Sequence, residues 1–185
     1  MINNTLSNQG GFTLIEMLIT ITVVSVGIVG AFIAVQQGII AVDYSNSRFT
    51  AALLAQEGVE IIKNIRDTNL LEYNYVSAGT IWSEGLGIGD FEVQYTDPKT
   101  TDPVLNQPIC SPACGPDDLR SLKKSTPGFY NYDDGEETRF KRLIQIESPN
   151  PPNVDQLDAT ITVYWKKRGG GYYSIFLLQH LYNWW

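Results

Sequence analysis

The sequence predicts an α+β fold in which a long N-terminal helix packs on a small antiparallel β-sheet, with the first half of the helix crossing a membrane. Three observations support this: an apolar run near the N-terminus, a following stretch with apolar residues at helical spacing, and later segments in which apolar and polar residues alternate. The chain has 185 residues, which fits one globular domain. Its formal net charge of -7 argues against general nucleic-acid binding, which requires a basic surface.

The apolar run extends from Phe12 to Val35, and Glu16 is its only charged residue. As a helix it would be about 36 Å long, enough to cross a hydrocarbon core of about 30 Å. A secretory signal peptide would have a basic start and a shorter apolar run, whereas residues 1–47 contain no Lys or Arg. A soluble domain of this size could hardly surround a helix that is apolar on every face. Residues 12–35 are therefore predicted to span a membrane.

The helix is predicted to continue beyond the membrane to Asp67. Phe49, Leu53, Val59 and Ile62 recur at helical spacing among polar residues, which indicates an amphipathic helix with one face on a core. A continuous helix over residues 12–67 would extend about 84 Å, far more than a membrane requires. Its second half is expected to support a head formed by residues 68–185.

Residues 11–19 read Gly-Phe-Thr-Leu-Ile-Glu-Met-Leu-Ile and stand directly at the start of the apolar run. This string resembles the prepilin cleavage and N-methylation motif of type IV pilins and type II secretion pseudopilins. The resemblance implies a type IV pilin fold and a leader, residues 1–11, that is cut after Gly11 by a prepilin peptidase. It also implies that Phe12 becomes the methylated N-terminus and that Glu16 serves filament assembly.

Glu16 also has a simpler interpretation, because Thr13 and Glu16 form the S/T-x-x-E pattern of a helix capping box.

Two features depart from the family pattern. The leader has no basic residue, and Ile33 occupies a position where major pilins often have Pro. The missing Pro argues against a major pilin. Together with Gly27, Gly30 and the stretch Ala-Gln-Glu-Gly-Val-Glu at residues 55–60, it favours a minor pilin over a type II secretion pseudopilin.

The head is predicted to form strands after a glycine-containing loop that follows the helix. Alternation marks Phe91–Tyr95, Phe140–Ile146 and Ala159–Trp165, and an apolar run marks Tyr172–Tyr182. Because the last run is apolar on both faces, it is predicted to be a central or covered strand. The Gly-rich segment 85–89 lacks the spacing and the following helix of a nucleotide-binding loop.

Residues 97–128 contain six of the nine prolines and both cysteines, so this segment is predicted to be an irregular surface loop. Cys110 and Cys114 could be half of a metal site, but the sequence offers no second pair of ligands. In an exported head, a disulfide between them is the simpler expectation.

Three further polar segments of the head offer possible sites. Asp133, Asp134, Glu136 and Glu137 could bind Ca²⁺ or act as paired carboxylates, but a solvated acidic turn is the simpler interpretation. Residues 166–171, Lys-Lys-Arg-Gly-Gly-Gly, are typical of a hairpin turn; with Trp165, Tyr172 and Tyr173 they could instead contact DNA. His180, the single histidine, is expected to be a packed or edge residue, since zinc sites and imidazole-based triads need further ligands.

Taken together, these features predict a structural filament subunit, a minor type IV pilin, with no enzymatic activity and no cofactor. The alternatives are a type II secretion pseudopilin and, from another class, an uncleaved membrane-tethered binding module; a secreted hydrolase using Asp133 to Glu137 is a third class. The family resemblance implies several partners: other pilin or pseudopilin subunits, a prepilin peptidase and methyltransferase, an inner-membrane assembly platform, and membrane lipid before assembly. It further implies a single-pass inner-membrane protein with its head outside, at the cell surface or in the periplasm when assembled.

Overall fold

The computed structural model describes residues 11–75, 82–95, 109–110, 114–149 and 155–183. They form one helix, α1 (Leu14–Tyr75), and seven strands. The strands are β1 (Gly89–Phe91), β2 (Lys123–Lys124), β3 (Tyr130–Asn131), β4 (Glu136–Glu137), β5 (Phe140–Glu147), β6 (Gln156–Lys166) and β7 (Tyr172–Tyr182). The combination of a long N-terminal apolar helix with an antiparallel sheet confirms the predicted α+β, pilin-like architecture.

Helix α1 is longer than the predicted range of 12–67. It begins at Leu14 and ends at Tyr75, so its last two turns replace part of the predicted loop. Burial explains the extension, because Leu70 lies in the core with 6% of its surface exposed. The Asn69 side chain also donates hydrogen bonds to the carbonyl oxygens of Trp82 and Glu84, at 3.1 and 2.7 Å. These contacts hold the extra turns against the segment that follows.

The chain divides into two compact units, Met1–Ser45 and Asn46–Trp185. In the first unit, the described residues are exposed except for the half-buried Asp43. The second unit contains the described core. Its part of α1 contributes Ala51, Leu54, Ala55, Val59, Ile61, Ile62 and Leu70 to that core.

The main sheet has the strand order β1-β5-β6-β7, and every neighbouring pair is antiparallel. Register pairs such as Ile144 with Ile161, and Val163 with Ile175, place apolar side chains of adjacent strands on one face. That face packs on α1, and all these residues belong to the core or pack against it. The alternation of apolar and polar residues in the sequence therefore corresponds to a sheet with one face buried against the helix.

Gly58 allows the helix to approach the sheet closely. A Cβ placed there would lie 2.9 Å from Cγ2 of Ile161 and 3.3 Å from Cδ of Arg142. Real Cβ atoms essentially never come within 3.0 Å of a neighbour, so any other residue would push the two layers apart.

The prediction that β7 is a central or covered strand is wrong. Among the strands that the structure describes, β7 is the outermost of its sheet. On its core-facing side, Leu181 is fully buried, and Ile175 and Leu177 are partly buried and pack against the core. On the other side, Phe176 and Leu178 are 66% and 52% exposed. The apolar residues on the outer face of β7 are therefore exposed at the surface and not covered by a neighbouring described element.

The first predicted strand, Phe91–Tyr95, is also shifted, since β1 ends at Phe91. Val93 is fully buried, but its carbonyl oxygen accepts a hydrogen bond from the Arg142 guanidinium at 2.5 Å. The Gln94 side chain accepts the backbone N–H of Tyr132 at 2.8 Å. The segment therefore contributes to the core without extending the sheet.

A second, three-stranded sheet with the order β3-β2-β4 lies within segments predicted to be loop and turn. Each strand has only two residues, too few to show alternation in the sequence. Gly135, with φ of 109°, makes the turn between β3 and β4 possible, because a Cβ there would collide with the backbone of Lys124.

Candidate functional site

The first described residues form a capped helix start. The Oγ1 atom of Thr13 accepts the backbone N–H of Glu16 at 3.3 Å, and the Thr13 carbonyl accepts the N–H groups of Glu16 and Met17. Thr13 therefore caps the helix, but the structure shows no hydrogen bond from the Thr13 N–H to the Glu16 carboxylate, so the predicted capping box is only half formed. The Glu16 carboxylate itself has no hydrogen-bond or ion-pair partner within the described ranges, and it lies in the first turn, where the helix dipole favours a negative charge.

Gly11 precedes the helix, is exposed, and has nothing within 4 Å of a Cβ placed on it. Gly11 and Phe12 are outside helical structure. The peptide bond between them is thus open to an enzyme that binds an extended backbone.

The hydroxyl groups in the apolar part of α1 donate hydrogen bonds to backbone carbonyl oxygens of the same helix. The hydroxyl of Thr20 donates to the carbonyl oxygens of Glu16 and Met17, at 2.5 and 3.1 Å. Those of Thr22 and Ser25 donate to Ile19 and Ile21, at 2.8 and 2.7 Å. Internal hydrogen bonding is what a hydrocarbon environment requires, because no water is available there.

In the described part of the chain, α1 is the one helix long and apolar enough to cross a membrane, and its most apolar window is fully exposed. It fits a single-pass membrane anchor. Residues 6–32 match the family model of the prokaryotic N-terminal methylation motif. This chain carries the prepilin motif of type IV pilins and pseudopilins.

The prepilin motif implies processing by a prepilin peptidase and assembly with other pilins. No curated protein and no solved structure matches the chain at a significant level. The match covers the start of α1, so the chemistry of the head has to be judged from its own residues.

The disulfide predicted between Cys110 and Cys114 is present. The Asp90 carboxylate fixes its position, since Oδ2 accepts the backbone N–H of Cys114 at 2.6 Å and Oδ1 accepts the side-chain amide of Gln145 at 3.0 Å. Cys114 and Leu119 bury Leu143 on the sheet face opposite to α1. The loop is therefore attached to the outer face of the sheet.

Asp90, Cys110 and Cys114 are also the one group of three potential metal ligands within 4.8 Å of one another among the described residues. The sequence alone does not show a third potential ligand beside the two cysteines, and the structure places Asp90 there. Both sulfur atoms are joined in the disulfide, so neither is a thiolate that could bind a metal.

The four acidic residues of the turn, Asp133, Asp134, Glu136 and Glu137, are exposed. Asn131 Oδ1 accepts the backbone N–H groups of Asp133 and Asp134, both at 2.8 Å, and Gln94 donates to Asp133 Oδ2 at 2.7 Å. No three of the acids come within 4.8 Å of one another. The structure therefore does not gather them as a calcium site would require.

Residues 166–171 form the tip of a β-hairpin, as predicted. Lys167 donates its backbone N–H to Gly171 O at 3.0 Å, and Gly170 donates to Lys167 O at 3.3 Å. Trp165 is 2% exposed, and the Tyr172 hydroxyl donates to Asp117 Oδ1 at 2.9 Å. Two of the three rings considered for DNA stacking are thus engaged within the head.

His180 is an edge residue on β7, and the structure gives it a partner that the sequence did not reveal. Its Nδ1 lies 2.8 Å from Asp158 Oδ1, because the two residues are directly opposite on β7 and β6. The hydrogen bond to His180, followed by that from Gln156, lowers the pKa of Asp158 below 3.8.

Arg142 is a fully buried residue that the sequence analysis missed. Its guanidinium donates to Leu54 O on α1 at 3.0 Å and to Val93 O at 2.5 Å. Nη1 also lies 3.5 Å from Glu57 Oε1. Arg142 occupies a buried position of the strand alternation, together with Phe140, Ile144 and Ile146. This position in the pattern is the sequence feature that could have revealed a buried arginine.

Proposed function

We propose that this protein is a minor type IV pilin, a structural subunit involved in the assembly or modification of an extracellular filament. The observation that carries the proposal is the prepilin motif over residues 6–32, in register with a capped helix start at Thr13 and an apolar helix that fits a membrane anchor. In this proposal the head lies outside the membrane, and an inner-membrane assembly platform transfers the subunit from lipid into the filament.

Maturation begins with cleavage between Gly11 and Phe12. The exposed position of Gly11 outside the helix supports this, because a residue without Cβ lets a peptidase approach the backbone. Methylation of the new Phe12 amine retains a cation at the end of the helix.

Glu16 is the proposed assembly residue. A charge without a partner in an apolar core costs about 3 kcal/mol or more, so the Glu16 carboxylate is expected to seek a cation when the helix leaves the membrane. The amine of Phe12 on a neighbouring subunit provides one. That pair favours one axial register of adjacent helices and penalises slippage.

The processing test is an intact-mass measurement of the chain coexpressed with a prepilin peptidase. The expected product lacks residues 1–11 and carries a methyl group on Phe12, and a Gly11→Leu variant should remain uncut. Recovery of wild-type protein that still begins at Met1 would contradict the proposal and favour the uncleaved membrane-tethered binding module.

The assembly test compares Glu16→Val with Thr13→Ala, which removes the cap and leaves the carboxylate. Glu16→Val should be inserted and cleaved normally and yet be nearly absent from sheared filaments. Thr13→Ala should be incorporated normally, since loss of a cap costs only about 1 kcal/mol. If both variants enter filaments in wild-type proportion, Glu16 has no assembly role.

A further inference from the structure

The outer edge of β7 lacks the features that normally protect a terminal strand. Along that edge, the described residues contribute no paired strand. From Tyr172 to Tyr182 the strand contains no Lys, Arg, Asp, Glu or Pro. Exposed edges in native proteins usually carry Lys, Pro or a bulge, because an open edge is a template for pairing with another chain. Among the described residues, the 11-residue edge of β7 therefore has neither a neighbouring strand nor these protective features.

The outer face of this edge strand carries three exposed apolar side chains. Phe176, Leu178 and Tyr182 are 66%, 52% and 48% exposed. Their partners on β6 are Thr162, Thr160 and Gln156, which are polar. A face that docks another sheet would be apolar across several strands, whereas an adjacent pair of apolar side chains, Phe176 and Leu178, beside an open edge fits a strand that adds alongside β7.

Part of the outer face is already covered by the chain itself. Leu143 on β5 is buried with Cys114 and Leu119, and Asp117 accepts the Tyr172 hydroxyl at the start of β7. Among the described residues, this covering segment contacts β7 at Tyr172, and Phe176 and Leu178 remain exposed to solvent.

The charges at the end of the hairpin restrict the partner. Lys166, Lys167 and Arg168 immediately precede β7, in a chain with a net charge of -7. The Nζ atom of Lys167 lies 4.5 Å from the centroid of the Tyr173 ring. A strand beside β7 that ends in acidic residues next to this cationic tip would gain electrostatic complementarity.

We propose that an extended segment of a neighbouring filament subunit pairs with β7 as a fifth strand, with apolar side chains beside Phe176 and Leu178 and Asp or Glu next to Lys166, Lys167 and Arg168. The inference rests on the proposed function, because the partner is a subunit of the same filament. Backbone pairing supplies the affinity in this mode of recognition, and the side chains supply the specificity.

A photo-cross-linking experiment on the assembled full chain tests the contact directly. The photoreactive amino acid p-benzoylphenylalanine replaces Phe176 in one variant and Phe129, an exposed Phe away from β7, in a matched control. Irradiated filaments should show at least a tenfold excess of intersubunit product from position 176, with the cross-link mapping to an extended segment that contains acidic residues. Equal products from both positions, or cross-links from position 176 to the same chain, would overturn the proposal.

A second experiment introduces the missing edge protection as Phe176→Lys/Leu178→Lys, with Phe129→Lys as control. Both positions are more than half exposed, so the head should fold, as checked by the Cys110–Cys114 disulfide and by protease resistance. The double variant should be cleaved normally but fall at least tenfold in sheared filaments, whereas the control should not. Wild-type incorporation of a folded double variant refutes strand addition and leaves the filament function standing. Absence of the wild-type chain from filaments refutes the proposed function and, with it, this partner.

Discussion

Arg142 carries a charge in the interior of the head, where its hydrogen bonds connect α1, the segment after β1, and β5. Replacing it by Met keeps much of the volume but leaves Val93 O and the Glu57 carboxylate without their cation. We expect Arg142→Met to lower the free energy of unfolding by about 3 kcal/mol. Urea denaturation of the detergent-solubilised chain measures this. Lys63→Met, which removes an exposed pair with Glu60 at 3.9 Å, is the control and should cost less than about 1 kcal/mol.

Asp158 gives the head a defined pH dependence. Since the hydrogen bond to His180 lowers the pKa of Asp158 in the folded protein below 3.8, its ionised form stabilises the fold. That contribution is fully present above pH 3.8 and is lost as the pH falls through the lowered pKa. Wild type should therefore exceed Asp158→Asn in thermal stability at neutral pH, and the two should converge in strong acid. A difference that stays constant down to acid pH would contradict the assignment to this carboxylate.

At the level of elements, the contact between α1 and the sheet depends on Gly58. Gly58→Ala should lower the free energy of unfolding by about 1–3 kcal/mol, because the added Cβ meets Ile161 and Arg142. Gly38 is the matched control, since it lies in the same helix with nothing within 4 Å. Gly38→Ala should be neutral or stabilising, as expected from helix propensity. If both substitutions stabilise the chain, the close approach at Gly58 is not a constraint.

The same elements show what sequence patterns can and cannot predict. Alternation and apolar runs predict β5 to within one residue and β7 in full, whereas β6 begins at Gln156, three residues before the predicted start. The N-terminal motif is read from nine consecutive residues. The position of β7 at the sheet edge could not be predicted, because an apolar edge strand and a covered strand have the same composition. Likewise, the contacts of Asp90 with the disulfide loop, and of Asp158 with His180, join residues far apart in the chain. Strand register brings Asp158 and His180 together, and the packing of the disulfide loop on the sheet brings Cys114 to Asp90.

At the level of the whole molecule, the two units differ in the burial of their apolar side chains. All buried apolar residues of the described chain lie at Ala51 or later, whereas the apolar side chains before Ser45 are exposed. The first unit therefore fits an apolar environment such as a membrane, whereas the second is stabilised by its own core. In the filament subunit proposed above, this separation would let the helix change its surroundings on assembly while the head keeps its fold.

This separation predicts that residues 46–185 fold without the first unit. The fragment retains every helix residue that packs on the sheet, from Ala51 to Leu70, and it retains both cysteines. We expect a soluble protein with an oxidised Cys110–Cys114 pair and one cooperative urea transition. Ile62→Asp, which places a charge at a fully buried position of the helix face, should abolish that transition and so show that it reports helix–sheet packing. A fragment that unfolds without cooperativity, or one that tolerates Ile62→Asp, would mean that the head requires the first unit for its stability.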